Sequence, residues 1–384
     1  MRAPRIRPTL GLRALMLLVA AAGVWLGRQA VASRAQARVV AESRRLGGIV
    51  GYDYEYAGDE YVPDGSPRAP AWLRRHLGED AFRTVTRVSY PHMPICDLLL
   101  APLADLGGVE GLAFEEQILC GTMTMGRPDF SAGDRPAVEP SPPPAPDRLT
   151  GAGLSRLNGL RRLRSLKVGL GDLGRATLGG LGGLSRVEEL SFTGVGLTDD
   201  RMPPLGAMPR LRSLAVWGGP ITGACLGPLR GASSLESLTF YGCPISAEGV
   251  RNIGAIPGLV DLRLDHVAVD DPGMAGLGRL SRLETLDLAG CRFSARGFAA
   301  LGGLKRLKHL RVGWTDLDDE GLGAVAGLGR LEVIELHQTR VTDAGLRHLR
   351  GLPRLRELSL YSTKTTRAAV DELKAGVPSL TYAR

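Results

Sequence analysis

Leucine recurs in this chain at a fixed interval of 24 residues. The series is Leu211, Leu235, Leu259, Leu283, Leu307, Leu331 and Leu355, with Leu163 and Val187 before it. Further apolar residues follow three and five positions after each member, as in Leu283, Leu286 and Leu288. One unit of this length cannot bury its own apolar face, so repeated units stack around a shared core. The interval therefore predicts a solenoid rather than a set of separate globular cores.

Each unit is predicted to pass from a strand to a short helix. The close apolar spacing of the strand gives way to a three-residue spacing, as in Leu346, Leu349 and Leu352. A polar pair stands between the two parts, where its oxygens are placed to accept from the first free amides of a helix. These residues are Thr342-Asp343, Asp318-Asp319, Asp270-Asp271, Ser294 and Thr198-Asp199.

The apolar triplet matches the LxxLxL strand of a leucine-rich repeat, and the chain resembles the cysteine-containing class of these repeats. That class carries Cys, Thr or Asn three residues after the third strand leucine. The equivalent column here is Val195, Gly219, Cys243, Val267, Cys291, Thr315, Thr339 and Thr363. The resemblance implies that these side chains turn inward and hydrogen-bond the backbone, so Cys243 and Cys291 are structural. We expect an α/β solenoid with a curved parallel sheet on its concave face and short helices on its convex face.

The repeat register extends towards the N-terminus. Two further triplets with the same spacing are Val85-Val88-Tyr90 and Val109-Leu112-Phe114. The solenoid is therefore expected over residues 82–384. The step from Val109 to Leu163 is longer than two repeat intervals, which indicates an insertion in one unit. This insertion, at 120–148, is rich in proline and is expected to be an extended loop.

The solenoid is predicted to contain eleven strands and a C-terminal cap. In the cap we expect a helix that has lost its second half and a last strand, at Leu380 and Tyr382, one residue out of register. Cys96 and Cys120 are separated by one repeat interval. Equivalent positions in adjacent repeats are within disulfide reach, so a bond between them is one possibility and two free thiols are the other.

The N-terminus carries an apolar stretch between basic segments. Residues 1–9 form a basic segment, residues 10–27 are interrupted only by Arg13, and residues 28–81 are assigned to a juxtamembrane and N-terminal capping region. We expect 10–27 to be an uncleaved transmembrane signal anchor, with the solenoid on the extracytoplasmic side. Cleavage after an A-x-A site at 30–32 or 35–37 is the alternative, and it would give a secreted envelope scaffold. This start, with residues 46–50 and 52–55, resembles bacterial membrane-anchored leucine-rich repeat proteins, a family without an assigned activity.

Charge and motif content argue against nucleic-acid binding and enzymatic activity. The net charge of +8 is accounted for by residues 1–45, with nine Arg and one acid, so the rest of the chain is neutral. The basic excess therefore flanks the apolar stretch, where it favours anionic headgroups over nucleic acid. The sequence has no GxSxG, P-loop, HExxH or CxxC motif, and its six His are scattered. We expect no catalytic residues, no cofactor and no metal.

Arginine precedes the strand in seven of nine repeats. The members are Arg162, Arg186, Arg210, Arg282, Arg306, Arg330 and Arg354, while Ser234 and Gly258 interrupt the row. One hypothesis is a strip that binds an anionic partner. The alternative is a salt-bridge lattice with Glu188, Glu236, Glu284 and Glu332, which stand two positions further on.

The outward positions of the strands and the residues just after them are the best candidates for binding a protein, because they line the concave face. They are Trp217, Tyr241, Arg263, Asp265, His266, Arg311, Trp314, His337 and Tyr361. Aromatic residues and arginine are enriched at binding hot spots. Alternatively, the aromatics stabilise the sheet by lateral stacking. The sequence thus predicts a membrane-tethered, non-enzymatic protein-binding scaffold. An adaptor similar to the repeat half of F-box proteins is the second hypothesis.

Overall fold

The fold is taken from a computed structural model of the chain. The described residues are 21, 24, 31, 33–53, 55–57, 60–61, 84–90, 97–103, 106, 108–114, 149–169, 177–194, 196–377 and 380–383. The predicted proline-rich insertion, Cys96, Cys120 and nearly all of the predicted anchor lie outside these residues. Among the described helices, none has the length and apolar character needed to cross a bilayer.

The strands form a sheet of thirteen, with β1 at one edge, followed by β4 to β15 in chain order. Its strands are β1 (Ile49–Tyr52), β4 (Val85–Tyr90), β5 (Gly111–Phe114), β6 (Ser165–Gly169), β7 (Glu189–Thr193), β8 (Ser213–Trp217), β9 (Ser237–Tyr241), β10 (Asp261–Leu264), β11 (Thr285–Asp287), β12 (His309–Arg311), β13 (Val333–Glu335), β14 (Glu357–Ser359) and β15 (Thr381–Ala383). The short strands β2 (Tyr56–Ala57) and β3 (Glu60–Tyr61) pair only with each other. The sheet therefore follows the repeat order of the sequence.

Helical turns connect the strands. The α-helices are α1 (33–45), α2 (Asp97–Leu103), α3 (Gly151–Arg156), α4 (Ala247–Ile253), α5 (Asp271–Leu277), α6 (Ala295–Phe298), α7 (Asp319–Leu322), α8 (Asp343–Leu346) and α9 (Arg367–Gly376). The 3₁₀ turns are Leu157–Gly159, Leu178–Gly183, Asp199–Arg201, Leu205–Ala207, Ala224–Leu229, Ala299–Gly303, Gly323–Gly327 and Arg347–Leu349.

The strand pairing shows the register that the leucines predicted. Leu262 pairs with Leu238 on one side and with Leu286 on the other, so each partner lies one repeat interval away. Leu112 pairs with Leu166, which lies beyond the insertion, and the sheet is thus continuous across it. The triplet residues are buried in one uninterrupted core that runs along the solenoid. Each buried leucine contributes about 1.5–3 kcal/mol, which makes this core the main source of stability.

Aspartates join several neighbouring repeats at the start of the helical turn. Asp319 accepts from the backbone N–H and the hydroxyl of Thr342, at 2.8 and 2.6 Å. Asp97 accepts from the N–H of Thr150 at 2.9 Å across the insertion. Because the contact that spans the inserted segment is the same as in later repeats, the repeat geometry is preserved there.

The two ends of the sheet carry elements that depart from the regular repeat. At the N-terminal end β1 pairs antiparallel with β4, and the Tyr90 hydroxyl donates to Ser43 Oγ of α1 at 3.1 Å in a buried contact. At the C-terminal end the prediction of a shortened helix is wrong, because α9 has 10 residues. The predicted slip of the last strand is also wrong. Thr381 pairs with Glu357, one repeat interval earlier, since backbone pairing keeps its register although the apolar pattern shifts.

Candidate functional site

The side chains of the strands alternate between the core and the concave face. In β8, Leu214 and Val216 are buried, whereas Trp217 is exposed at the end of the strand. The candidate residues therefore lie in columns that cross the strands. Arg263 and Arg311 lie in the middle of the face, and the other seven lie at its edge, where the strands end. The structure distributes the candidates along the sheet and gathers them into no single pocket.

Six aromatic side chains follow this edge, and we call them the aromatic rim. They are Trp217, Tyr241, His266, Trp314, His337 and Tyr361. Trp217, Tyr241, Trp314 and Tyr361 are 43, 37, 51 and 58% exposed. Among the side chains that the structure describes, these four are the only exposed large aromatics. Exposed aromatic area among the described side chains is therefore concentrated on one edge of the concave face, as expected of an interaction surface.

Trp217 and Tyr241 are direct neighbours in the sheet. They pair in register on β8 and β9, with ring centroids 5.4 Å apart and a tilt of 35°. A contact of this kind contributes about 0.5–1.5 kcal/mol. Lateral stacking therefore stabilises the pair, while a large part of each ring stays open to a partner.

Trp314 has a strained backbone. Its φ is +54°, in the left-handed region that bulky residues avoid. The equivalent residues in the neighbouring repeats are also left-handed, and several are glycine: Gly218, Gly242, His266, Gly290, Gln338 and Ser362. A non-glycine residue pays about 1–2 kcal/mol for this conformation. An exposed tryptophan where glycine would fit best points to a role other than stability.

His337 packs against the ring of Trp314. It is 9% exposed, and its ring meets the Trp314 ring edge-on with centroids 4.2 Å apart. The His337 Nε2 has no hydrogen-bond partner among the described residues. Burial lowers the pKa of His337, and Arg311 lowers it further against the opposing effect of Glu335. His337 is therefore a neutral positioning residue rather than an exposed contact.

Charges in the middle of the concave face alternate in sign from strand to strand. Along the column from β10 to β13 they are Arg263, Asp287, Arg311 and Glu335. The Arg311 Nε donates to Glu335 Oε2 at 3.0 Å, and the Arg311 Nη1 lies 3.6 Å from Asp287 Oδ2. Burial raises the pKa of Asp287. The two candidate arginines are thus partly neutralised by acids that sequence reasoning overlooked, although the alternating column was visible in the repeat alignment.

The remaining polar candidates also have local partners. Asp265 lies 2.8 Å from Nδ1 of the exposed His266. Arg263 donates twice to Asp261 on its own strand, at 3.1 and 3.0 Å. Local partners of this kind hold these charged candidates in fixed positions on the concave face.

The described residues contain no group of three His, Cys, Asp or Glu side chains arranged to hold a metal. His309 pairs with Val333, so it lies four positions from His337 along the adjacent strand. Cys243 and Cys291 point inward, and their thiols donate to the carbonyls of Gly218 and Leu264, each at 3.4 Å. Burial raises their pKa values to about 11 and about 12, so both remain protonated thiols. These cysteines are structural, as the resemblance implied.

Comparison with known proteins agrees with this fold. A family model described as Leucine Rich repeat matches residues 305–326. An internalin (inlF) from Listeria monocytogenes is similar over 81% of this chain and 92% of its own, with a TM-score of 0.52 and 16% identity. Internalin C2 from the same organism covers 62 and 85%, with a TM-score of 0.41 and 20% identity. The search for similar curated proteins found no match.

Proposed function

We propose that this leucine-rich repeat protein is a non-enzymatic recognition scaffold that binds a protein partner along its aromatic rim. The observation that carries the proposal is Trp314, a half-exposed tryptophan in a left-handed conformation. Backbone strain of this kind persists at functional positions because the surrounding structure enforces it. The rim combines exposed aromatic rings with charges held in fixed positions, so recognition is the function that this surface supports best.

Recognition would be divided between two aromatic groups. Trp217 and Tyr241 form one, and Trp314 and Tyr361 form the other. Tryptophan and tyrosine dominate binding hot spots because they bury a large area at a small cost in conformational entropy. The charge column between them disfavours an apolar partner and favours one with polar groups facing it.

The test is binding of the partner by two double variants. Trp314→Ala with Tyr361→Ala removes one group, and Trp217→Ala with Tyr241→Ala removes the other. Cross-linking in the native cell and mass spectrometry identify the partner, and calorimetry measures its affinity for each variant. We expect losses of about 2 kcal/mol or more, roughly thirtyfold in Kd, for at least one pair.

A matched control replaces His348 and Arg347, which are exposed on the convex side. The control is expected to bind like the wild type. Full affinity in both aromatic variants, each still folded by circular dichroism at the temperature of the measurement, would remove the aromatic rim as the binding surface.

We further propose that residues 10–27 tether the scaffold to a membrane with the solenoid on the extracytoplasmic side. The support is the uncharged stretch at 14–27 and the arginines on both sides of it. Membrane fractionation and protease protection test this arrangement, and intact-mass measurement distinguishes it from the secreted scaffold. Recovery of a shortened chain in the soluble fraction would contradict the tether. For the F-box-like adaptor, no observation on the described residues adds support.

A further inference from the structure

The edge of the sheet opposite the aromatic rim carries the seven predicted arginines, which we call the arginine ridge. All seven are exposed, and each directly precedes the buried apolar residue that begins its repeat. Adjacent strands are about 4.8 Å apart. The ridge therefore consists of two runs, Arg162 to Arg210 and Arg282 to Arg354, separated by Ser234 and Gly258.

The salt-bridge lattice expected as the alternative does not neutralise the ridge. The glutamates belong to their own column, which alternates in sign: Glu110, Arg164, Glu188, Arg212, Glu236, Val260, Glu284, Lys308, Glu332 and Arg356. Within it Lys308 bonds Glu284 at 2.6 Å, and Arg212 lies 3.7 Å from Glu236. No ridge arginine forms an ion pair with a carboxylate of the described residues.

The pKa of Glu284 also shows that its main cationic partner is Lys308. Its pKa is lowered first by the hydrogen bond from Lys308, and Arg306 and Arg330 contribute less. At the N-terminal run, four arginines and two glutamates line an open cleft of about 210 Å³: Glu110, Arg162, Arg164, Arg186, Glu188 and Arg210. Glu236 and Glu284 are thus paired within their column, whereas the ridge arginines form no ion pair with a described carboxylate.

The chemistry of the ridge defines its ligand. Guanidinium groups bind carboxylates with two parallel hydrogen bonds. The exposed large aromatics of the described side chains all lie on the opposite edge. The ridge therefore lacks the platforms on which nucleobases stack and the aromatic anchors that dominate protein hot spots.

Spacing distinguishes between linear polyanions. Side chains on one side of an extended peptide are about 6.6 Å apart. They therefore do not match a ridge that repeats about every 4.8 Å. Phosphates of B-form DNA advance about 3.4 Å per nucleotide along the helix axis while they wind around it, so a straight row of arginines cannot follow one strand. A polymer of uronic acids carries one carboxylate per sugar ring, a ring is about as long as the strand spacing, and rotation about the glycosidic bonds turns successive carboxylates to one side. We propose that the arginine ridge binds an acidic polysaccharide laid across the strands.

The test uses the full chain and polygalacturonate as the probe. The variant replaces Arg282, Arg306, Arg330 and Arg354 by Gln, and a second variant replaces Arg162, Arg186 and Arg210. Calorimetry at several salt concentrations gives the Kd and its salt dependence. Because several exposed ion pairs are lost together, we expect the Kd to rise at least about tenfold in the four-site variant, with a shallower salt dependence.

The control removes the same charge from other exposed arginines, by replacing Arg279, Arg292, Arg296 and Arg347 with Gln. It is expected to stay within about threefold of the wild type, and all variants should keep the wild-type unfolding midpoint. An equal loss in the control would overturn the proposal, because net charge would then explain binding. Equal or tighter binding of polyglutamate or single-stranded oligothymidylate would overturn the choice of polymer. Trp314→Ala should leave polygalacturonate binding unchanged, which separates this surface from the aromatic rim.

Discussion

The repeats that span residues 178–229 and those that follow β9 have the same kind of strand but different turns. The earlier repeats from Leu178 to Leu229 use 3₁₀ turns, whereas α4 to α9 begin the later ones. In the later repeats a side chain accepts from the first helical turn, as Ser246 does from the Gly249 N–H at 3.1 Å. Asp270, Ser294, Asp318 and Thr342 do the same. A cap within the repeat therefore accompanies each α-helical turn.

One of the earlier turns, Ala224–Leu229, obtains its cap from a neighbouring repeat. Thr198 was predicted as an N-cap, but it makes no capping bond, and its hydroxyl bonds Asp200 instead. Asp199 reaches into the next repeat and accepts from Thr222 N at 2.7 Å, from its hydroxyl at 2.8 Å and from Cys225 N at 3.0 Å. The comparison shows that one solenoid geometry accepts two local solutions, provided that the same backbone amides are satisfied.

The turn after the strand differs as well. Gly218 and Gly219 are both left-handed, at φ of +84° and +89°. In the later repeats one left-handed residue is followed by an inward hydroxyl, and Thr339 Oγ1 donates to the Leu336 carbonyl at 2.7 Å. Two glycines adopt the left-handed conformation without steric strain, so this turn forms without the hydrogen bond from an inward hydroxyl. This accounts for the glycine at position 219 of the Cys/Thr column.

The largest expected effect separates the two ways of capping. Asp199→Ala removes three bonds and leaves partly buried amides unsatisfied, so we expect a loss of about 2–4 kcal/mol in unfolding free energy. Asp318→Ala removes one cap and should cost about 1 kcal/mol. Urea unfolding followed by circular dichroism measures both. Equal losses would show that the neighbour-supplied cap has no special weight.

The dependence of stability on acidic pH tests the same contact. Burial alone would raise the pKa of Asp199, but bonds from Cys225 and Thr222 outweigh it and lower the pKa below the ordinary value of 3.8. The stabilisation is therefore complete above that value and is lost as pH falls through the folded-state pKa. Asp199→Asn should lose this part of the acid dependence, which urea midpoints measured at a series of acidic pH values would show.

An exchange of turn residues gives a smaller effect. A Cβ on Gly219 would lie 2.7 Å from the Leu197 carbonyl oxygen, so Gly219→Thr should cost about 2 kcal/mol although Thr is the consensus residue. Thr339→Val leaves the Leu336 carbonyl without its donor and should cost about 1 kcal/mol. Thermal unfolding of both variants checks the order. A stabilised Gly219→Thr would mean that the two turns are interchangeable.

The smallest expected effect is the pH response of the later repeats. Because burial lowers the pKa of His337 below 6.5, the unfolded chain takes up its proton first as pH falls. Stability should therefore decrease between pH 7 and pH 5.5, and His337→Gln should reduce that slope. Urea midpoints across this range measure it. The exposed His309→Gln is the control, and an unchanged slope for His337→Gln would contradict the assignment.

Much of this architecture was predictable from particular residues. The spacing of Leu211 to Leu355 gave the sheet order, and Thr342 and Asp318 were recognised as caps. The strain at Trp314 and the burial of His337 were not predictable, because both arise from the turn that packs on the neighbouring repeat. The antiparallel β1 and the full length of α9 were also missed, since end caps do not follow the repeat pattern.

The sequence alone determines which residues share a core and which lie on the two edges of the sheet, because a strict interval assigns every position a place in the solenoid. Tertiary structure decides which of the surface charges are already matched and which are available. That depends on contacts between repeats, where Lys308 meets Glu284 and Arg311 meets Glu335. An ion pair depends on the distance between side chains of different strands. The position of a residue within its own repeat does not give that distance.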